Sequence, residues 1–322
     1  SLGYQVVYRL FSDLEKHGPS WTLSPATRNE LSGERAFLPD DVPAFRRARL
    51  PLTTYESGAA VGQAPALLFS VAYELELTGL FSCLEIAGIP VLRSERDTRH
   101  PLVICGGPLT FSNPTPLYAF ADVVVMGESE DVLPAVVDTL LTAGVGSITP
   151  SENDRSALLL RLSELPGVWV PAFHGERLPK VAAADDAKLP ATSSILTPHT
   201  ELSSMFLIEP ERGCSRGCTY CVMRRSTNGG MRLATMESIL ARVPADAKKV
   251  GLVGAAVSDH PRIVDIVNAL CDRGMGVGLS SLRPDRLTDR FVAALKRGGY
   301  RTLTTAMDGP SERLRITLER HA

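Results

Sequence analysis

Cys214, Cys218 and Cys221 lie in the run Gly213-Cys-Ser-Arg-Gly-Cys-Thr-Tyr-Cys221, between an apolar segment at 205–208 and a polar, glycine-bearing stretch. Thiolates carry iron–sulfur clusters, and three on one short loop can each take one iron of a four-iron cluster while the fourth iron stays open to another ligand. Gly213 and Gly217 permit the tight turns that bring three sulfurs together. Arg212, Arg216, Arg224 and Arg225 are expected to set positive charge beside an anionic cluster. The same residues admit a structural zinc site, a disulfide pair or neighbouring free thiols. Zinc ordinarily takes four ligands in paired groups, and no second Cys or His pair of suitable spacing follows Cys221. Cys83, Cys105 and Cys271 stand singly in apolar runs and read as small core residues.

The pattern Cys-x-x-x-Cys-x-aromatic-Cys, with Tyr220 as the aromatic, resembles that of the radical S-adenosylmethionine (SAM) enzymes. The resemblance implies that Cys214, Cys218 and Cys221 bind a [4Fe-4S] cluster whose open iron is chelated by the amino and carboxylate groups of SAM, with Tyr220 near the adenine. It further implies one-electron cleavage of SAM to methionine and a 5′-deoxyadenosyl radical that removes hydrogen from a substrate.

The elements that must position this loop follow from periodicity. A strand at 205–209 enters the cysteine loop, and Thr235 is the expected N-cap of a helix at 235–243. Strands at 249–256, 276–282 and 302–307 alternate with helices at 260–273, closed by Gly274, and 288–297, opened by Thr288. Such alternation builds a parallel sheet whose active groups gather at the carboxyl ends of the strands. Gly254, Ser281, Arg283, Asp308 and Ser311 fall at those ends. The resemblance makes them SAM contacts: Gly254 near the methionine end, Ser281 and Arg283 toward its carboxylate, Asp308 or Ser311 toward the ribose. Arg283 has the firmest physical basis, since a guanidinium pairs a carboxylate in bidentate fashion. Each can equally be a loop residue that caps a helix or meets solvent, and Asn228-Gly-Gly230 reads as a turn.

The first half alternates in the same way. A helix over 2–14 and a short strand at 35–38 precede a strand at 66–73, a helix at 76–87, strands at 101–108 and 122–128, and a helix at 132–141. This pattern predicts a doubly wound, Rossmann-like α/β domain with ligands beyond the carboxyl ends of its strands. Those ends carry Ala72, Tyr73 and Glu74; Gly106, Gly107 and Pro108; and Gly127 and Glu128.

With the cysteine loop following it, such a domain resembles that of the cobalamin-binding-domain radical SAM enzymes, in an uncharacterised branch. Ser70-Val-Ala-Tyr-Glu-Leu-Glu, Val103-Ile-Cys-Gly-Gly-Pro108, Ser280-Ser-Leu-Arg283 and Ser311-Glu-Arg-Leu314 carry the resemblance. It implies that the strand-end residues just named line a cobalamin, glycine letting backbone approach a flat ligand. The Asp-x-His-x-x-Gly signature that supplies a histidine to cobalt is absent, so cobalt would be held without a histidine of this chain, or the corrin would be missing.

The expected organisation is a cobalamin-binding-like domain at 1–145, a linker at 146–203 with a helix near 158–162 and a strand at 168–171, and a partial radical SAM barrel at 204–322. The radical SAM barrel has six strand–helix units and four are read here, so either the sequence is a portion of a longer protein or the barrel is incomplete. With 322 residues, 44% of them hydrophobic, there is ample material for more than one core. A net charge of −2 shows no large nucleic-acid surface, and no leader or bilayer-spanning run is visible. A reducing cytoplasm is the expected location. The expected function is cobalamin-dependent radical SAM chemistry, methyl transfer to an unactivated carbon or a related rearrangement, with a flavodoxin or ferredoxin as reductant and a small-molecule or peptide substrate. The alternatives are hydrogen abstraction without cobalamin and a non-catalytic iron–sulfur or redox-sensing protein.

Overall fold

Alternate residues of the strand Leu102–Gly106 face opposite sides of a sheet and are buried on both, which is what a strand covered by helices on two faces requires. The computed structural model describes residues 2–17, 31–144, 151–223 and 230–319. Two compact units emerge, one formed by Val7–Ala184 and the other by Ser1–Val6 with Asp185–Ala322. Helix α1, Leu2–His17, contributes residues to both.

In the unit Val7–Ala184, strands β1 (Ala66–Ser70), β2 (Leu102–Gly106), β3 (Val123–Val125) and β4 (Val168–Trp169) form one sheet in that order. The first three are parallel and β4 runs antiparallel to β3. Val103, Cys105 and Val124 pack on Leu80 and Leu84 of helix α2, Leu77–Ile86. Ile104, Val123 and Val125 pack on helices α3 (Ser129–Thr142) and α4 (Glu152–Ser163) on the other face. The order of the described strands never reverses, so this sheet lacks the switch point at which doubly wound folds open a ligand crevice.

Residues 151–184, expected within a linker, are part of this unit. Ser151 closes a capping box on α4, Arg155 of that helix lies 3.4 Å from the buried Asp122, and Trp169 is fully buried in the core. Burial of Leu158, Leu162, Val168 and Trp169 is the physical reason: this stretch holds apolar side chains that only the sheet can cover. The strand expected at 35–38 is reduced to a single bridge between Ala36 and Thr54.

In the second unit, β5 (Phe206–Ile208), β8 (Lys249–Leu252) and β9 (Gly276–Leu279) form a parallel sheet in that order. Helices α5 (Met236–Arg242), α6 (Ile263–Asp272) and α7 (Asp289–Arg297) supply its core partners, including Ile239, Ile266, Leu270, Phe291 and Leu295. Thr235 and Thr288 cap α5 and α7 by accepting the N–H groups of Ser238 and Phe291, and Gly274 adopts the left-handed φ of 76° that ends the α6 turn. A two-stranded antiparallel ribbon, β6 (Glu211–Arg212) with β7 (Arg232–Leu233), brackets the cysteine loop.

The strand expected at 302–307 does not form. The outward N–H groups of β9 are already taken: Val277 donates to Gly298 O at 2.9 Å and Leu279 donates to the Tyr300 hydroxyl. A loop has closed the edge that a fourth strand would have needed.

Candidate functional site

The register of the parallel sheet aligns Ile208, Leu252 and Leu279, so the segments that follow β5, β8 and β9 leave from one edge. From β5 the chain passes through Glu209, Pro210 and β6 into the cysteine loop. Ala234, at the far end of that loop, donates its N–H to Pro210 O, which closes the base of the loop behind the β6–β7 ribbon. Gly213 takes a left-handed φ of 93° just before Cys214. Cys218 is buried, Cys214 and Cys221 are partly exposed, and Cys221 N–H donates to Cys218 O. Thr219 N–H donates to Leu318 O at 3.1 Å, just past helix α8, Glu312–Thr317. Tyr220 is 52% exposed beside them.

Burial pushes the Cys214 thiol up, with the charges of Asp259 and Glu211 adding to the effect and a hydrogen bond from the Arg216 backbone opposing it. Metal uptake at this position therefore releases a proton. Among the described residues no three His, Cys, Asp or Glu side chains converge on a single ion position. A four-iron cluster asks for less convergence, since its thiolates each ligate a different iron. Three thiols on one loop with two of them reachable from solvent fit that donor set.

The two flanking arginines among the described residues, Arg212 and Arg216, are each paired with a carboxylate. Arg212 forks onto Glu209, at 3.0 and 2.8 Å, and Arg216 pairs with Asp259 at 3.1 Å. Carboxylates within reach claim a guanidinium before an open site can. Arg224, Arg225, Asn228 and Gly229 lie outside the described residues, and Gly230 has a φ of 107°.

The strand-end residues have definite tasks. Gly254 lies against Glu211: a Cβ at 254 would sit 2.2 Å from Glu211 Oε1. That oxygen accepts the Ala256 N–H at 2.7 Å, while Oε2 is buried without a hydrogen-bond partner. Burial raises the Glu211 carboxyl to about 7, the charges of Glu209 and Asp259 adding to it and the Ala256 bond opposing. Ser281 Oγ accepts Val257 N–H at 2.9 Å, and Ser258 Oγ accepts Arg283 N–H at 3.2 Å, so the loops after β8 and β9 are stitched together. Ser311 caps α8 by accepting Leu314 N–H, and Asp308 is exposed with a left-handed φ of 58°.

Arg283 departs from expectation. Its guanidinium is 6% exposed and is held by Asp259 at 3.2 Å and Asp285 at 2.7 Å, so its fork is filled by protein carboxylates instead of being presented to a ligand. Sequence reading missed Glu211 and Asp259. The only signal was position, one acid three residues before the first cysteine and one closing the run 254–259. His260 is buried beside them; Nε2 lies 2.9 Å from Ala234 O and Nδ1 accepts Arg262 N–H, a pairing that a neutral ring protonated on Nε2 satisfies. Burial lowers its pKa accordingly.

In the other unit, the glycines expected to make room for a corrin make room for the chain itself. Gly107, φ 100°, would place a Cβ 2.8 Å from Val71 O, and Gly127, φ 95°, would place one 2.4 Å from Ala182 O. Ala182 pairs with Gly127 in a parallel bridge, Glu128 N–H donates to Ala182 O, and Glu128 Oε2 accepts Ala184 N–H at 2.7 Å. The end of β3 is thus covered by residues 182–184. Ala72, Tyr73 and Glu74 remain at an open end of β1, with Ala72 N–H donating to Glu76 Oε2, and Pro108 is exposed after Gly106. Gly107, Gly127 and Glu128 are thus engaged by the chain itself, whereas Tyr73, Glu74 and Pro108 stay exposed.

Two family models match the chain. The radical SAM superfamily model matches residues 208–322, from the end of β5 through the cysteine loop and onward. That stretch is similar to the radical SAM superfamily. A second model, described as the N-terminal part of radical SAM proteins, matches residues 26–171. The chain is 27% identical over 231 residues to the uncharacterized protein MJ0966 of Methanocaldococcus jannaschii, covering 68% of this chain and 46% of that protein. It therefore spans less than half the length of that curated relative. Among solved structures it is similar to the radical SAM methyltransferase TsrM of Kitasatospora setae with tryptophan and aza-SAM bound, at 12% identity, 86% and 53% coverage of this chain and that one, and a TM-score of 0.48. A second TsrM structure, with cobalamin and a [4Fe-4S] cluster bound, gives 12% identity, 61% and 40% coverage, and a TM-score of 0.38. No helix of the described residues is long and apolar enough to cross a membrane.

Proposed function

We propose that this protein is a radical SAM enzyme in which Cys214, Cys218 and Cys221 hold a [4Fe-4S] cluster at the carboxyl edge of the β5–β8–β9 sheet. The single observation that carries this reading is the three-thiol loop inside the matched radical SAM domain, pinned at its base by the β6–β7 ribbon. Bound there, the cluster supplies the electron that cleaves SAM to methionine and a 5′-deoxyadenosyl radical. The chain's own part is to bind and orient: thiolates from the loop, small residues at 254–256, and exposed Tyr220 as the aromatic beside the nucleoside. The electron comes from a flavodoxin- or ferredoxin-type reductant, and the substrate is a small molecule or a peptide.

Cobalamin-dependent methyl transfer is the finer form of this proposal. It is suggested by a parallel α/β unit preceding the radical SAM domain, and the residues left to support it are Ala72, Tyr73, Glu74, Gly106 and Pro108, since Gly127 and Glu128 are engaged with residues 182–184.

Anaerobic reconstitution with iron and sulfide should give a brown protein. The full-length protein should then form 5′-deoxyadenosine from SAM on reduction, and Cys218→Ala should lose both properties. Uptake of zinc in preference to iron and sulfide would overturn the reading. An intact cluster without SAM cleavage would favour a redox-sensing role. Hydroxocobalamin that fails to co-elute would leave hydrogen abstraction without corrin.

A further inference from the structure

Where the segments following β5, β8 and β9 meet, three guanidinium groups share two carboxylates. Asp259 Oδ2 accepts Arg216 Nε at 3.1 Å and Arg283 Nη1 at 3.2 Å, and Oδ1 accepts Arg286 Nε at 3.1 Å. Asp285 accepts Arg283 Nη2 at 2.7 Å and lies 3.5 Å from Arg216 Nη2. The Asp259 carboxylate is 3% exposed. A pair this desolvated is costly to break from one side, because the buried Arg283 loses one of its carboxylate partners.

The three arginines come from two segments. Arg216 stands between Cys214 and Cys218, whereas Arg283 and Arg286 follow β9. The loops after β8 and β9 are already joined by Ser281 to Val257 and by Ser258 to Arg283, independently of the Asp259 carboxylate. What the carboxylate adds is a tie to the cysteine loop. A loop that must order itself when its ligand arrives loses binding free energy to that ordering, and one held in advance loses less.

We propose that Asp259 is a positioning residue that, through Arg216, holds the cysteine loop in its ligating shape before iron arrives. This rests on the reading of Cys214, Cys218 and Cys221 as cluster ligands, but its first test needs no metal. In the metal-free chain, Asp259→Asn should speed amide exchange across 213–221 by about tenfold or more while the amides of β8 and β9 keep their protection. Arg216→Gln should reproduce the effect with the Asp259–Arg283–Arg286 pairing left in place, and it decides the matter if Asp259→Asn fails to fold. Asp259→Glu should restore part of the protection. After reconstitution, both loosening variants should give a broadened, mixed low-temperature resonance signal from the reduced cluster, where the parent gives one species. Unchanged exchange in the loop, or exchange that rises equally throughout the domain, would overturn the proposal. If the parent protein takes up no iron, the cluster reading falls, and the exchange result still judges Asp259.

Discussion

Glu211 stands with one oxygen bonded to the Ala256 N–H and the other buried without a partner, directly under Gly254. Its folded pKa of about 7 lies above the ordinary 4.5, so the folded state keeps a proton that the unfolded chain releases. The stability this gives is fully present below pH 4.5 and is lost as pH rises through 7. The loss amounts to at most ~3 kcal/mol. Urea unfolding of the metal-free protein at several pH values should show Glu211→Gln with a flatter profile between pH 5 and 8 than the parent; parallel profiles would refute the assignment. His260 acts in the opposite sense, since its lowered pKa gives stability above the ordinary value of 6.5 that is lost as pH falls below it. The comparison between variant and parent, and not the parent curve alone, isolates Glu211. At Gly254 the same crowding makes Ala costly, by ~1–3 kcal/mol, because the new methyl would push the Glu211 carboxylate off the Ala256 N–H and would also meet the Glu211 carbonyl oxygen at 3.1 Å.

At the scale of elements, the edge of β9 decides how far the parallel sheet extends. Tyr300 is drawn in to close the Leu279 N–H, and its own hydroxyl pKa is raised by burial against the opposing effect of that bond. Tyr300→Phe leaves a buried N–H unpaired and should cost ~1–3 kcal/mol. The expected readout is a lower unfolding midpoint together with faster exchange of the Leu279 amide; retained protection there would show that another acceptor serves the edge. The cysteine loop, by contrast, is defined by its two ends, where the β6–β7 pairing and the bond from Ala234 to Pro210 hold its base closed.

For the whole molecule, the question is whether the glycines of the unit Val7–Ala184 make room for a ligand or for the chain itself. Gly127 is the test position, being left-handed and pressed against Ala182. Gly127→Ala should destabilise this unit by ~2 kcal/mol or more whether or not hydroxocobalamin is present. If instead the variant keeps the parent's thermal stability and only loses the corrin, Gly127 makes room for a ligand and not for the chain.

The sequence by itself determined the three-thiol loop, the parallel strands β1 to β3 and β5, β8 and β9, and the threonine caps of α5 and α7, because spacing, apolar period and capping chemistry are local properties written along the chain. Only the tertiary structure decided the partners. Arg283 and Arg216 look like ligand-binding arginines until Asp259 and Asp285 are found beside them. Gly107 and Gly127 look like a cradle until Val71 and Ala182 fill it. The strand at 302–307 has the right composition but meets an edge already closed by Tyr300. Charge pairing, Cβ clearance and strand edges depend on which distant segments meet, and no window of sequence contains both sides of such a contact.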